Sequence, residues 1–165
     1  MNGFYAKALP ALISILLLIP AGILGGEDLN GAEDWTVITC DGNLYMNYVA
    51  KRVVFFNNVQ VENPRGSIRA DRLIVYFAPD GKTVEKTEGA GHVRITSEGR
   101  SGRSEKIIYY PAEKKIVLIG DAMVTIYGNS VGGGMITFFL DSKDIAVEER
   151  PTLEYIPEEN FQVDF

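Results

Sequence analysis

The chain repeats itself at a fixed offset. Val59-Gln60-Val61 returns 34 positions later as Val93-Arg94-Ile95, and Arg69-Ala70-Asp71-Arg72-Leu73 returns at the same offset as Arg103-Ser104-Glu105-Lys106-Ile107. The Val-x-Val/Ile signal comes a third time at Val124. The second signal, an acidic or small residue followed by alternating apolar ones, starts at Asp71, Glu105 and Gly134. It runs on through Leu73, Ile107 and Ile136 to Tyr76, Tyr110 and Phe139. Each unit is two strands and a turn, with a return strand. Such a unit cannot bury its apolar side alone, so neighbours must stack. The third unit is shorter, with its turn at Gly128-Asn129.

The texture between repeats is that of a β protein. From Trp35 onward short apolar runs alternate with turns: Val53–Phe56, Val59–Val61, Ile68–Phe77, Val93–Ile95, Ile107–Tyr110, Ile116–Ile119, Val124–Ile126, Ile136–Leu140 and Ile145–Val147. Asn63-Pro64-Arg65-Gly66, Pro79-Asp80-Gly81-Lys82 and Asp141-Ser142-Lys143-Asp144 are turns by composition. Nothing after Gly26 keeps a helical period. Alternating strands with turns every 8–12 residues predict an all-β sandwich or barrel of packed hairpin rungs.

Residues 1–26 stand apart. Lys7 precedes an apolar run from Leu9 to Ile19, then Pro20, a Gly-rich stretch and the acidic Glu27-Asp28. This fits a cleaved secretory signal; extended to Leu24, it approaches a short retained anchor helix. Either reading exports the rest. The expected organisation is therefore a signal or anchor over 1–26, a polar connector over 27–34, a β domain over 35–148 and an acidic extended tail over 149–165, able to supply a last edge strand.

Charge and residue counts exclude several kinds of chemistry. A formal charge of −6 argues against nucleic acid as a partner. The single cysteine, Cys40, permits no internal disulfide and reads as a buried small apolar residue. The single histidine, His92, is out of phase with Val93 and Ile95 and points away from the core. One histidine supports neither a metal site nor a catalytic triad. Gly132-Gly133-Gly134 lacks the lysine of a phosphate loop. Asp71 and Glu105 sit where the apolar alternation shifts phase, so a bulge accounts for them better than a catalytic pair does. No catalytic residue, metal site or cofactor is expected, and the chain reads as a non-enzyme.

The repeat also aligns Arg69 with Arg103 and Arg72 with Lys106. In register these would form a small basic ladder on an acidic protein; as solvated faces or edge charges they would block unwanted strand pairing.

Several stretches resemble the OstA-like domain of periplasmic lipopolysaccharide-transport proteins of the LptA and LptC type. They are Ile38-Thr39-Cys40-Asp41-Gly42, Phe56-Asn57-Asn58-Val59-Gln60-Val61, Ile68 to Tyr76, Gly89 to Ile95 and Leu118 to Val124. The likeness covers about Val37 to Val147. His92 and Asp121-Ala122 replace the usual Asn of the turn, and Gly134 replaces an acidic residue.

The resemblance implies a twisted open β jelly roll whose apolar interior takes the acyl chains of lipid A. Its open edges would pair with inner-membrane export components, with the outer-membrane translocon and with further copies head to tail, forming a bridge through the periplasm. An anchor would favour the LptC-like role, a cleaved signal the LptA-like one. The lining expected from the strands is Val59, Val61, Ile68, Leu73 and Val75, then Val93, Ile95, Ile107 and Tyr109, then Val124, Ile126, Ile136 and Phe138. Arg69, Arg72, Arg103 and Lys106 are the expected contacts for lipid A phosphates. The rival reading is a polymerising β-repeat scaffold of the envelope without a lipid. The uneven repeat, 34 residues and then 31 from Val93 to Val124, speaks against a regular solenoid.

Overall fold

The computed structural model describes residues 36–154 apart from 65 and 143. The expected signal or anchor, the connector and residues 155–165 of the tail lie outside the described residues. Ten strands follow one another: β1 (Val37–Thr39), β2 (Leu44–Asn47), β3 (Arg52–Asn63), β4 (Gly66–Phe77), β5 (Val84–Ser97), β6 (Arg100–Tyr110), β7 (Lys115–Ile126), β8 (Asn129–Phe139), β9 (Asp144–Glu148) and β10 (Thr152–Glu154). They form one antiparallel sheet in the order β1-β3-β4-β5-β6-β7-β8-β10, with β2 also beside β3 and β9 beside β8.

The central strands are longer than usual strands, and each bends at its middle. Ladder register slips between Phe56 and Val59, Arg69 and Arg72, Ala90 and Val93, Arg103 and Lys106, and Ile119 and Ala122. These slips fall side by side and form one crease across the sheet. On alternate strands the bend uses two consecutive left-handed residues: Asn57-Asn58 (φ 63° and 46°), Gly91-His92 (81° and 46°) and Gly120-Asp121 (81° and 42°). Asn, Asp, His and Gly are the residue types that tolerate this region best. Glu149-Arg150, at φ 59° each, makes the corresponding step between β9 and β10. At the other end Asp41 and Gly42 make it between β1 and β2, their amides donating to the carbonyls of Asn57 (2.9 Å) and Phe56 (3.1 Å) on β3.

The crease divides the sheet into two layers. Layer A holds β2, β9 and the halves of β3–β8 that pair with Leu73–Phe77 and its neighbours. Layer B holds β1, β10 and the other halves. Every hairpin turn lies on an outer rim, alternately of A and of B. The described backbone hydrogen bonds run between adjacent strands or within turns, and none joins the rim of A to the rim of B. The layers are therefore continuous along one side only and meet elsewhere through side chains.

Those side chains form the core. Val59, Val61, Ile68, Ala70, Val93, Ala122 and Val124 come from layer B; Leu73, Ile107, Tyr109, Ile116, Leu118, Ile136 and Phe138 come from layer A. Period-two alternation puts each set on one face of its layer, and the crease turns the two faces toward each other. The result is the all-β, open jelly roll expected from the sequence.

Two sequence readings change in detail. Val53–Phe56 and Val59–Val61, read as separate runs, are halves of β3; Ile116–Ile119 and Val124–Ile126 are likewise halves of β7. The slip lets a strand continue through two left-handed residues instead of ending there. β5 starts at Val84, in a stretch with no apolar run, because β4 supplies pairing partners from Val84 and β6 joins on the other side from Thr87.

Candidate functional site

The interior face is laid out in rows that cross the whole sheet. In layer A one row runs Leu44, Phe55, Leu73, Gly89, Ile107, Leu118, Ile136 and Val147. The next runs Met46, Val53, Val75, Thr87, Tyr109, Ile116, Phe138 and Ile145. In layer B the long row is Ile38, Val61, Ile68, Ile95, Gly102, Val124, Val131 and Leu153. All thirteen residues expected to line the interior point inward, and all but Ile95 and Ile126, which are half-buried, are buried. The layers are thus in contact, and a guest between them would replace contacts that the side chains now make with each other.

Thr87 is the polar residue within the two layer A rows. It is 3% exposed, and its hydroxyl has no hydrogen-bond partner among the described residues. Gly89 lies one row away; a Cβ there would sit 2.8 Å from Ile107 Cγ2, so the glycine makes room for that side chain.

The rows do not close at the ends of the sheet. At the β2 end Leu44 and Met46 are exposed, and at the far end Ile145 and Leu153 are exposed. Both ends present strand edges with no described neighbour. At the β2 end a cavity of about 270 Å³ lies among Met46, Val53 and Phe77, with Lys51, Arg52, Lys82 and Asp80 around it. The Asp80 carboxyl accepts from the Thr83 hydroxyl (2.6 Å) and from the amides of Lys82 and Thr83 (2.8 and 2.9 Å). These bonds hold its pKa down at about 2.

The expected basic contacts are on the other face. Arg69 and Arg103 alternate with the inward residues of layer B, and Arg72 and Lys106 with those of layer A, so all four point outward. Nor do they stack directly. Arg94 stands between Arg69 and Arg103 in one cross-strand row, and Ala90 between Arg72 and Lys106 in the next. Repeat units are two strands apart, which is why aligned positions are not neighbours. The repeat does not single out Arg94, because its equivalent in the first unit is Gln60; its phase between Val93 and Ile95 is the signal that places it outside. Lys106 is also engaged, 3.0 Å from Glu88 Oε2, while Lys86 lies 2.6 Å from Oε1.

The crease explains the acidic repeat positions. Asp71 Oδ2 is 2.8 Å from His92 Nδ1, and His92 is largely exposed. Asp71 and Glu105 lie over Gly91 and Gly120 of the neighbouring strand. In the third unit the roles exchange: Gly134 takes the glycine position, and Glu149 lies over it. The acids thus stand at a bulge.

Comparison with known proteins agrees with this geometry. The model of the family described as LptA/(LptD N-terminal domain) LPS transport protein matches residues 38–144. No curated protein sequence matches the chain. Among the solved structures that match is the crystal structure of LptH from Pseudomonas aeruginosa, described as the LptA homologous periplasmic component of the conserved lipopolysaccharide transport device. It superposes with a TM-score of 0.65 at 14% identity, over 74% of this chain and 95% of LptH. The chain belongs to the LptA and LptD N-terminal domain family of lipopolysaccharide-transport proteins.

Proposed function

We propose that this protein carries lipopolysaccharide through the periplasm, taking the acyl chains between its two layers and passing them to the next module. The observation that carries this reading is the continuous apolar inner face, joined along the crease alone and open at both ends. Side-chain contacts are what hold the rims together. Acyl chains can replace those contacts with similar ones, and each buried CH₂ is worth about 0.8 kcal/mol. A fully hydrogen-bonded barrel would not part in this way.

The chains enter at the β2 end, where Met46, Val53 and Phe77 meet the cavity. Lys51, Arg52 and Lys82 beside it suit the phosphates of the same lipid. Arg69, Arg72, Arg103 and Lys106 do not, because a layer of sheet separates them from the interior. The exposed edges of β1, β2, β9 and β10 take strands from the export and translocon components, or from a second copy, by β-augmentation. The protein does this by binding alone, without a catalytic group.

The test is photo-crosslinking in cells that make lipopolysaccharide. A photoreactive residue at Val75 or Ile107 is expected to capture lipopolysaccharide, and one at the exposed Lys114 is not. Equal capture at all three, or none at the inner positions of a folded and exported protein, would favour the scaffold reading.

A further inference from the structure

Arg69, Arg94 and Arg103 occupy one cross-strand row on the outer face of layer B, on β4, β5 and β6. All three are exposed. None makes an ion pair with a described residue. Facing residues in an antiparallel ladder are about 4.5–5.5 Å apart at Cα, and like charges placed so are unfavourable. The arrangement therefore works against folding. Edge protection does not account for it, because these are central strands whose edges are already paired.

The surroundings of the row are specific. On its rim side runs a row of hydroxyls, Ser67, Thr96, Ser101, Thr125 and Ser130. On its crease side a groove of about 770 Å³ is lined by Arg94, Arg103 and Arg150, and also by Glu105, Asp121 and Glu149. An anionic membrane surface would set a whole plane of negative charge against those three carboxylates and the overall charge of −6, whereas a single oligosaccharide can direct its phosphates to the arginines alone. A ligand with both acceptor anions and donor hydroxyls meets a partner for each: the planar forks of arginine fit phosphate oxygens bidentately, and carboxylates accept from sugar hydroxyls.

We infer that the outer face of layer B, centred on Arg94 and Arg103, is a binding site for a saccharide that carries phosphate esters. This site does not depend on the interior. A sheet layer lies between them, and the saccharide needs no acyl chain to occupy it.

The test uses the full chain and a deacylated, phosphorylated oligosaccharide prepared from lipopolysaccharide, which cannot fill an apolar interior. Calorimetric titration is expected to show binding that falls at least about tenfold in Arg94→Gln/Arg103→Gln. Arg94→Lys/Arg103→Lys, which keeps charge and loses the fork, is expected to fall between. The thermal midpoint of each variant checks folding; since both side chains are exposed, it should not drop. Unchanged affinity in the double Gln variant overturns the proposal. So does equal binding of the same oligosaccharide after phosphatase treatment, or equal competition by inorganic phosphate alone, which would make this a free-phosphate site. Binding of phosphatidylglycerol vesicles through the same arginines, with none of the oligosaccharide, overturns it in favour of a membrane.

Discussion

Asp71 and Gly91 meet across β4 and β5 at the crease, where a Cβ on Gly91 would stand 2.2 Å from Asp71 Oδ2. Glu105 stands in the same relation to Gly120 at 2.5 Å, and Glu149 to Gly134 at 2.2 Å. Three places along the crease thus solve the bend alike: a glycine on one strand leaves space for an acid on the adjoining segment.

Replacing Gly91 should therefore be costly. Its φ of 81° disfavours any side chain, and Asp71 already fills the space. Gly91→Ala is expected to lose about 1–3 kcal/mol in urea unfolding. Gly102→Ala is the control, since its Cβ would meet Ile95 at an ordinary 3.5 Å. It should be neutral, or stabilising by about 0.5–1 kcal/mol. Equal losses at both glycines would mean that the crease is not the cause.

Thr87 offers a change of opposite sign. Its hydroxyl is buried in an apolar row with no hydrogen-bond partner among the described residues, and valine has nearly its shape. Thr87→Val removes a desolvated polar group and should stabilise by about 1 kcal/mol. A destabilised variant would reveal a partner that the hydroxyl gains in solution.

Glu88 makes stability depend on pH. Burial pushes its carboxyl up, but hydrogen bonds from Lys86 and Lys106 outweigh this and leave it below the ordinary 4.5. A carboxyl lowered in the folded state binds fewer protons than it does unfolded. It therefore adds stability above the ordinary value, which is lost as pH falls through the folded one. Glu88→Gln should cost about 1 kcal/mol at pH 7, after allowance for the partly exposed lysines. The difference from the parent should close in acid below pH 4.5. A gap independent of pH would assign the loss to packing.

The two ends of the roll should govern association. Leu44 and Ile145 are 49% and 39% exposed at opposite ends of inner rows. Leu44→Glu and Ile145→Glu are each expected to reduce self-association in sedimentation velocity while changing stability by less than about 0.5 kcal/mol. Association that survives both changes would place the contact elsewhere, on a face of the sheet.

The inner residues were legible in the sequence because period-two alternation is a local property: Val59 and Val61, or Leu73 and Val75, face one way whatever the strand pairs with. The bulge at Asp71 and Glu105 was legible for the same reason, as a shift of phase within one strand. The polar start of β5, from Val84, was not. Its Glu85, Lys86 and Glu88 carry no strand signal, and it is a strand because β4 and β6 pair with it. The exchange between Gly134 and Glu149 was also hidden, since those residues meet only where the link from β9 to β10 crosses the crease.

The sequence by itself determined an all-β chain of stacked hairpins, the shifts of phase at Asp71 and Glu105, and which side chains turn inward. These follow from backbone sterics and alternation within a few residues. The tertiary structure decided which side chains become neighbours. Folding the sheet along one crease set the repeats two strands apart, brought Arg94 between Arg69 and Arg103, and placed that row on the face opposite the apolar interior. Adjacency across strands depends on register and on the direction of the fold, and both are fixed by contacts between residues far apart in the chain.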